Sequence, residues 1–199
     1  MPIRLVLASQ SPARLATLRS AGVEPEVVVS DFDESTATES DPTRLASVLA
    51  MHKARVVAAR VGPEAIVVGC DSVLDLDGEV HGKPRDAADA RARLRRMRGG
   101  SGVLHTGHCV IGDGREIVRD AATTVHFGDF DEALIDAYVA TGEPLNVAGS
   151  FTIDGLGGPF IEGVEGDPHN VVGLSLPTLR HMLAELGIEW QQLWNHSPR

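Results

Sequence analysis

Short apolar runs that predict strands interleave along this chain with amphipathic stretches opened by Ser-Pro or Asp-Pro, which predict helices. The run Ile66-Val67-Val68, resumed by Val73-Leu74, predicts a buried strand interrupted at its middle by the carboxylate of Asp71. Residues 3–8 form a shorter apolar run ending in Ser9-Gln10-Ser11-Pro12, where Ser11 is a helix cap and Pro12 the first helical residue, with Gly22 closing the helix. A strand is expected over 26–30. Asp41-Pro42 opens a long helix with Leu45, Val48, Leu49 and His52 on its apolar face, and Gly62-Pro63 ends it. Asp77-Gly78 marks a type I′ hairpin turn. Asp86 caps a helix over 87–98 with Ala90, Leu94 and Met97 inward. Residues 103–111 and 116–127 pair around Asp113-Gly114, and Asp131 opens a helix with Leu134, Ile135 and Tyr138 inward. Residues 143–168 are glycine-rich, either a surface loop or a place where backbone meets a ligand. Pro177 opens the last helix, with Leu179, Met182, Leu183 and Leu186 as its core stripe. Hairpins among the helices predict an α/β fold with a mixed sheet.

Composition narrows the function. At 199 residues the chain is expected to form one domain, 1–199, with a core of Val, Leu, Ile and Ala because aromatics are only 4%. A net charge of −10 argues against a nucleic-acid binder and an acidic-membrane binder, yet permits a small anion in a locally positive pocket. Cys70 and Cys109 lie in apolar runs without CxxC spacing and are expected to be reduced packing residues. The first residues turn polar too soon for a signal peptide, and no apolar run is long enough to cross a bilayer. A cytoplasmic location is therefore expected, with the choice between monomer and homodimer open.

The candidate chemistry centres on Asp71. A carboxylate in an apolar run must be paired, metal-bound or solvated by a cleft. Gly69 beside it permits close approach, and Gly82-Lys83-Pro84 returns a cation by a tight turn. The first helix start is a natural anion site, and Arg14 there opposes the helix dipole, which suits an arginine that binds an anion. Asp31-Phe32-Asp33-Glu34 is either a solvated turn or a source of oxygen ligands for a hard cation. Lys53 either reaches a cleft or is solvated. Arg91, Arg93, Arg95, Arg96 and Arg98 are expected on a solvated helix face. His105 and His108 lack the further ligands a zinc site needs.

Several blocks, taken in order, resemble the Maf family of nucleoside triphosphate pyrophosphatases, also called septum formation inhibitor proteins. They are Leu7-Ala8-Ser9-Gln10-Ser11-Pro12-Ala13-Arg14, Asp33-Glu34, His52-Lys53-Ala54, Gly69-Cys70-Asp71-Ser72-Val73, Gly82-Lys83-Pro84 and Thr106-Gly107. Thr141-Gly142-Glu143-Pro144, Ala148-Gly149, Ile153-Asp154-Gly155 and Asn170-Val171-Val172-Gly173-Leu174 complete the set. The resemblance implies an elongated mixed sheet flanked by helices, with a central cleft. It also implies hydrolysis of a nucleoside triphosphate to monophosphate and pyrophosphate with a divalent cation, Mg or Mn. Asp71 would accept the proton or orient a metal-bound water. Arg14, Lys53 and Lys83 would hold phosphates, Ser9 and Glu34 would complete the pocket, and Asp71 with Glu34 would hold the metal. Positions 13, 72 and 154, here Ala13, Ser72 and Asp154, correlate with base choice in the family and depart from its usual residues, as does Asn146-Val147 in place of an Asp-Lys pair. An ionised Asp154 only accepts hydrogen bonds, which favours a base presenting N–H groups, such as guanine. The alternative is a nucleotide-binding regulator of cell division that does not turn its ligand over.

Overall fold

The computed structural model describes residues 3–32, 37 and 39–195. Strand β1 (Arg4–Leu7) leads into helix α1 (Pro12–Ser20), then β2 (Glu26–Val27), α2 (Pro42–Val61), β3 (Ala65–Leu76), β4 (Glu79–His81) and α3 (Ala87–Met97). β5 (Ser101–Gly112) and β6 (Arg115–Phe127) follow, then α4 (Glu132–Ala140), β7 (Ile161–Glu165), α5 (Pro168–Val172) and α6 (Leu176–Glu185). All seven strands form one mixed sheet in the order β2-β1-β3-β5-β6-β7, with β4 also paired to β3. β1 is parallel to both β2 and β3; the pairings of β3 with β4 and β5, and of β6 with β5 and β7, are antiparallel.

The helix starts follow the predicted caps. Ser11, Asp41, Asp86 and Asp131 each accept a backbone N–H three residues on, so each satisfies an amide the helix itself leaves unbonded. Asp77 and Gly78 take positive φ of 56° and 80° in the β3–β4 hairpin, and Asp113 and Gly114 do the same between β5 and β6.

Helix α2 turns a different face to the sheet than its large apolar residues predict. Ala46, Leu49, Ala50, Lys53, Ala54 and Val57 are buried, whereas Leu45, Val48 and His52 are only half-buried. The reason lies in the sheet. A Cβ at Gly69 would sit 2.9 Å from the Ala54 Cβ and run into the Ala50 carbonyl, and one at Gly107 would strike the backbone of Ala46 and Ser47. Two glycines on facing strands thus admit the alanine side of the helix at backbone contact, and small residues win the buried face. Gly69 serves this helix approach.

Four further expectations are corrected. The second strand covers only Glu26–Val27, because the carbonyls of Val29 and Ser30 turn to Arg60 of α2 at 2.9 and 3.2 Å instead of to β1. Arg93 is buried on α3 and is not on its solvated face. Leu134 is 41% exposed, while Val139 takes the inward place beside Ile135 and Tyr138. The glycine-rich stretch is not one loop. It holds short 3-10 turns at Glu143–Asn146, Ala148–Ser150 and Gly158–Phe160, then the edge strand β7.

Apolar burial is divided by the sheet. Val6, Ala8, Val67 and Cys109 pack under α2, and Leu5, Leu7, Val68, Cys70 and Val110 pack against α1 and α6 on the other face. A further cluster joins Leu74, Leu76 and Leu104 to α3, α4 and Phe160. Each fully buried Val, Leu or Phe side chain contributes about 1.5–3 kcal/mol against solvent exposure.

Candidate active site

β3 runs unbroken through Asp71, so the expected interruption lies in its neighbour and not in the strand. β1 pairs only with residues 65–68 of β3, and β4 only with 74–76. Between them, the edge of β3 at residues 69–73 faces an opening, while its other edge stays paired to β5, with Asp71 opposite Gly107. Within that opening alternate side chains leave on opposite faces of the sheet. Asp71 points to α2 and Ser72 to the side of α1, and both line a cleft of about 940 Å³. The carboxyl end of β1 opens into the same cleft, the usual ligand position in open α/β sheets.

Three charged groups meet there, each almost fully buried: Arg14 is 8% exposed, Lys53 9% and Asp71 8%. Lys53 Nζ donates to Asp71 Oδ1 at 3.1 Å, and Arg14 Nη2 lies 3.9 Å from the same oxygen. Burying charges costs several kcal/mol per ion unless they are paired and hydrogen-bonded, and here two cations meet one carboxylate. The group carries a net positive charge and suits an anion.

Arg14 is fixed on several sides. Its Nε donates to the Gly173 carbonyl at 2.7 Å, Nη1 to Ser9 Oγ at 3.3 Å and Nη2 to Ser72 Oγ at 3.1 Å. Ser72 Oγ lies 2.9 Å from Thr106 Oγ1, which donates to the Asn170 carbonyl. Gly173 has φ +108°, and a Cβ there would lie 3.1 Å from Arg14 Nε, so the guanidinium occupies space that only glycine leaves. Behind this group, the ring of His108 is fully buried and its Nε2 accepts the Ser175 N–H at 2.9 Å. Burial, and after it the charge of Arg14, pushes His108 down to about 4, so the ring is neutral at pH 7. Cys70 and Cys109 are free and buried, and burial pushes their thiols up to about 11 and about 12, as expected of packing residues.

Of the residues expected at the site, Ser9, Ala13, Arg14, Lys53, Asp71, Ser72, Lys83 and Asp154 all line the cleft. Lys53, open between cleft and solvent in the sequence, is in the cleft. Lys83 and Asp154 are exposed on loops that line the cleft, and the hydroxyl of Ser72 is engaged with Arg14 and Thr106. Asp33 and Glu34 lie outside the described residues. Sequence reasoning missed the supports Thr106, His108 and Gly173. The stretches Thr106-Gly107 and Asn170–Leu174 carried a signal of Thr106 and Gly173 but none of His108, because long-range partners have no local pattern.

Among the described residues, no group of three or more His, Cys, Asp or Glu side chains is gathered to hold a metal. Among the described residues the carboxylates lining the cleft are Asp31, Asp71 and Asp154, of which Asp71 is buried beside the cations, and such an oxygen donor set fits a hard cation such as Mg²⁺. That ion keeps much of its water and takes one or two carboxylates together with substrate phosphates. No helix among the described residues is long and apolar enough to cross a membrane.

Known proteins share this sequence over nearly its whole length. Residues 4–186 match the family model described as Maf-like protein. The chain is 55% identical to the nucleoside triphosphate pyrophosphatase of Salinispora tropica, over 98% of this chain and 89% of that protein. It is 57% identical to the protein of the same name from Streptomyces coelicolor, over 96% and 94%. For the one from Nostoc punctiforme the identity is 50%, over 95% and 96%. Among solved structures, a HAM1 protein from Coxiella burnetii has a TM-score of 0.50 at 15% identity, over 92% of this chain and 99% of that one, a likeness of fold.

Proposed function

The chain belongs to the Maf-like protein family, and from that premise we propose that it is a nucleoside triphosphate pyrophosphatase, releasing pyrophosphate and a nucleoside monophosphate. The observation that carries this reading is the buried Arg14–Asp71–Lys53 group at the opening beside β3, inside a cleft that Lys83 also lines. Hydrolysis at the α-phosphorus needs an oriented water and neutralisation of the charge that develops on the departing pyrophosphate. Asp71, anchored through Oδ1 by Lys53, takes the proton of the attacking water or aligns that water. Arg14 and Lys53 hold phosphate oxygens from the sheet side and Lys83 from the loop side, with Ser9 and Glu34 completing the pocket. Asp71 and Glu34 would hold a divalent cation, Mg²⁺ or Mn²⁺, which would supply further neutralisation and lower the pKa of a bound water.

The base is read by Ala13, Ser72 and Asp154, which all line the cleft. Asp154, exposed on the cleft wall, accepts hydrogen bonds and so favours a base with N–H groups, guanine or a methylated guanine. The test is pyrophosphate release by purified protein with Mg²⁺ or Mn²⁺ from GTP, 7-methyl-GTP, dTTP, UTP and CTP. Asp71→Asn is expected to lose about 10²–10⁴-fold in turnover while staying folded. Nucleotide binding without pyrophosphate release would instead mark a regulator without turnover. A pyrimidine preference would reject the assignment of Asp154.

A further inference from the structure

We propose that Arg93 is the positioning residue for Lys83, holding from beneath the turn that presents this lysine to the cleft. The proposal rests on the reading of Lys83 as a phosphate-binding cation. Lys83 stands on the short exposed link between β4 and α3, where a long flexible side chain on a loose turn would sample many positions. That turn is not loose. Arg93, on the buried face of α3 and 8% exposed, donates from Nη1 to the Gly82 carbonyl at 2.6 Å and from Nη2 to the Lys83 carbonyl at 3.5 Å. Nη2 also donates to Asp89 Oδ2 at 2.7 Å, and that oxygen accepts the Arg85 backbone N–H at 3.0 Å. The backbone is therefore gripped at 82, 83 and 85 by one ion pair. The Gly149 N–H donates to the same Gly82 carbonyl at 3.2 Å, which ties the turn to the opposite loop.

The neighbouring arginines of α3 serve other ends. Arg91 pairs with Asp136, Arg95 and Arg98 with Glu132, and Arg96 with Glu79, all on the surface. A buried ion pair is a poor device for stability alone, since apolar replacements of equal volume often do as well. A planar guanidinium that bridges two successive carbonyls is a good device for fixing geometry, and lysine cannot reproduce it.

The experiment is a double-mutant cycle on pyrophosphate release by the full chain with Mg²⁺, using Lys83→Met, Arg93→Met and their combination, with thermal unfolding of each. Misplacing a reacting group by about 1 Å can cost about 100-fold, so Arg93→Met is expected to lower kcat/KM by about 10- to 100-fold. Combined with Lys83→Met it should add less than about 2-fold, because it acts only through that lysine. Asp89→Asn should reproduce the effect in the same cycle, and it carries the test if Arg93→Met fails to fold. Losses that multiply, or wild-type rates in both Arg93→Met and Asp89→Asn while Lys83→Met is impaired, would overturn the role of Arg93 alone. A wild-type rate in Lys83→Met would overturn the role of Lys83 first, and this one with it.

Discussion

On the sheet side of the cleft, Arg14, Lys53 and Asp71 are buried, hold one another, and are mounted on regular elements packed at backbone contact. On the loop side, Lys83 and Asp154 are exposed, and their positions depend on groups behind the loops: buried Arg93 with half-buried Asp89, and half-buried Glu143 inside the turn of residues 152–157. On the proposed reading, the groups nearest the reacting phosphorus gain from the rigidity of a sheet, while an outer phosphate contact and the base reader sit on loops whose backbone is fixed by a few charges. One cleft is thus built from two mechanical parts, each with its own way to fail.

The sheet wall is most vulnerable to a steric change. Gly107→Ala would drive a methyl group into the backbone of Ala46 and Ser47, atoms that no rotamer change can move aside. Lifting α2 should cost about 3 kcal/mol, at the upper end of ordinary overpacking. Because α2 carries Lys53, turnover should fall along with the midpoint of urea unfolding. An alanine variant as stable and as active as the parent would mean that the sheet wall is not set by this contact.

That contact also marks what could be read from the chain alone. The caps, both Asp-Gly turns and the apolar strands were legible because their causes are local: a side chain bonding an amide three residues on, a positive φ, a run of β-branched residues. Lys53 was ambiguous because its burial depends on a helix face chosen by glycines on β3 and β5. Arg93 read as one of five surface arginines, since the carbonyls it holds precede it by 10 and 11 residues and reach it only in the fold. β7 was hidden because glycine content outweighs the pairing signal of an edge strand. Cleft membership was legible in Asp71, Arg14 and Lys83 through a carboxylate in an apolar run, a cation in a helix first turn and a cation on a tight turn. The opening at β3 was not, because it comes from where its neighbours stop.

Acid should weaken the sheet wall before the loop wall. His108 stands behind the sheet wall with its folded value pushed down to about 4 by burial and by Arg14, against an ordinary 6.5. The unfolded chain then binds the extra proton more readily, so this support is complete above pH 6.5 and drains away as pH falls toward 4. The loss amounts to about 2–3 kcal/mol over that range. Urea unfolding should show it between about pH 7 and pH 4.5, with His108→Gln, whose amide oxygen can still accept the Ser175 N–H, showing a flatter profile. Parallel profiles for the two proteins would remove His108 as the acid-sensitive support.

The loop wall should yield later and by less. Glu143 Oε1 accepts from Tyr138 Oη at 3.0 Å, Thr152 Oγ1 at 2.6 Å and the Gly157 N–H at 3.1 Å, and Oε2 accepts the Leu156 N–H at 3.1 Å. The loop closes tightly around it: a Cβ at Gly155 would lie 2.7 Å from Glu143 Oε2, and one at Gly157 2.6 Å from the Tyr138 hydroxyl. Burial alone would raise the Glu143 carboxyl, but the bonds from Thr152, Leu156, Tyr138 and Gly157 outweigh it and hold the group below its ordinary 4.5. With the folded value depressed, the clamp is fully present above pH 4.5 and is lost only as pH falls below that, after His108 has begun to charge. Glu143→Gln removes the charge and replaces one acceptor by a donor, which should cost about 1–2 kcal/mol locally. The measurement is amide exchange at Leu156 and Gly157, expected to speed up by about 5- to 30-fold while amides of β3 keep their protection. Because those amides flank the segment that carries Asp154, the variant should also narrow the difference in kcat/KM between purine and pyrimidine nucleotides. Unchanged exchange at both amides would mean that the loop wall holds its shape without the carboxylate, and the contrast between the two walls would then be one of exposure alone.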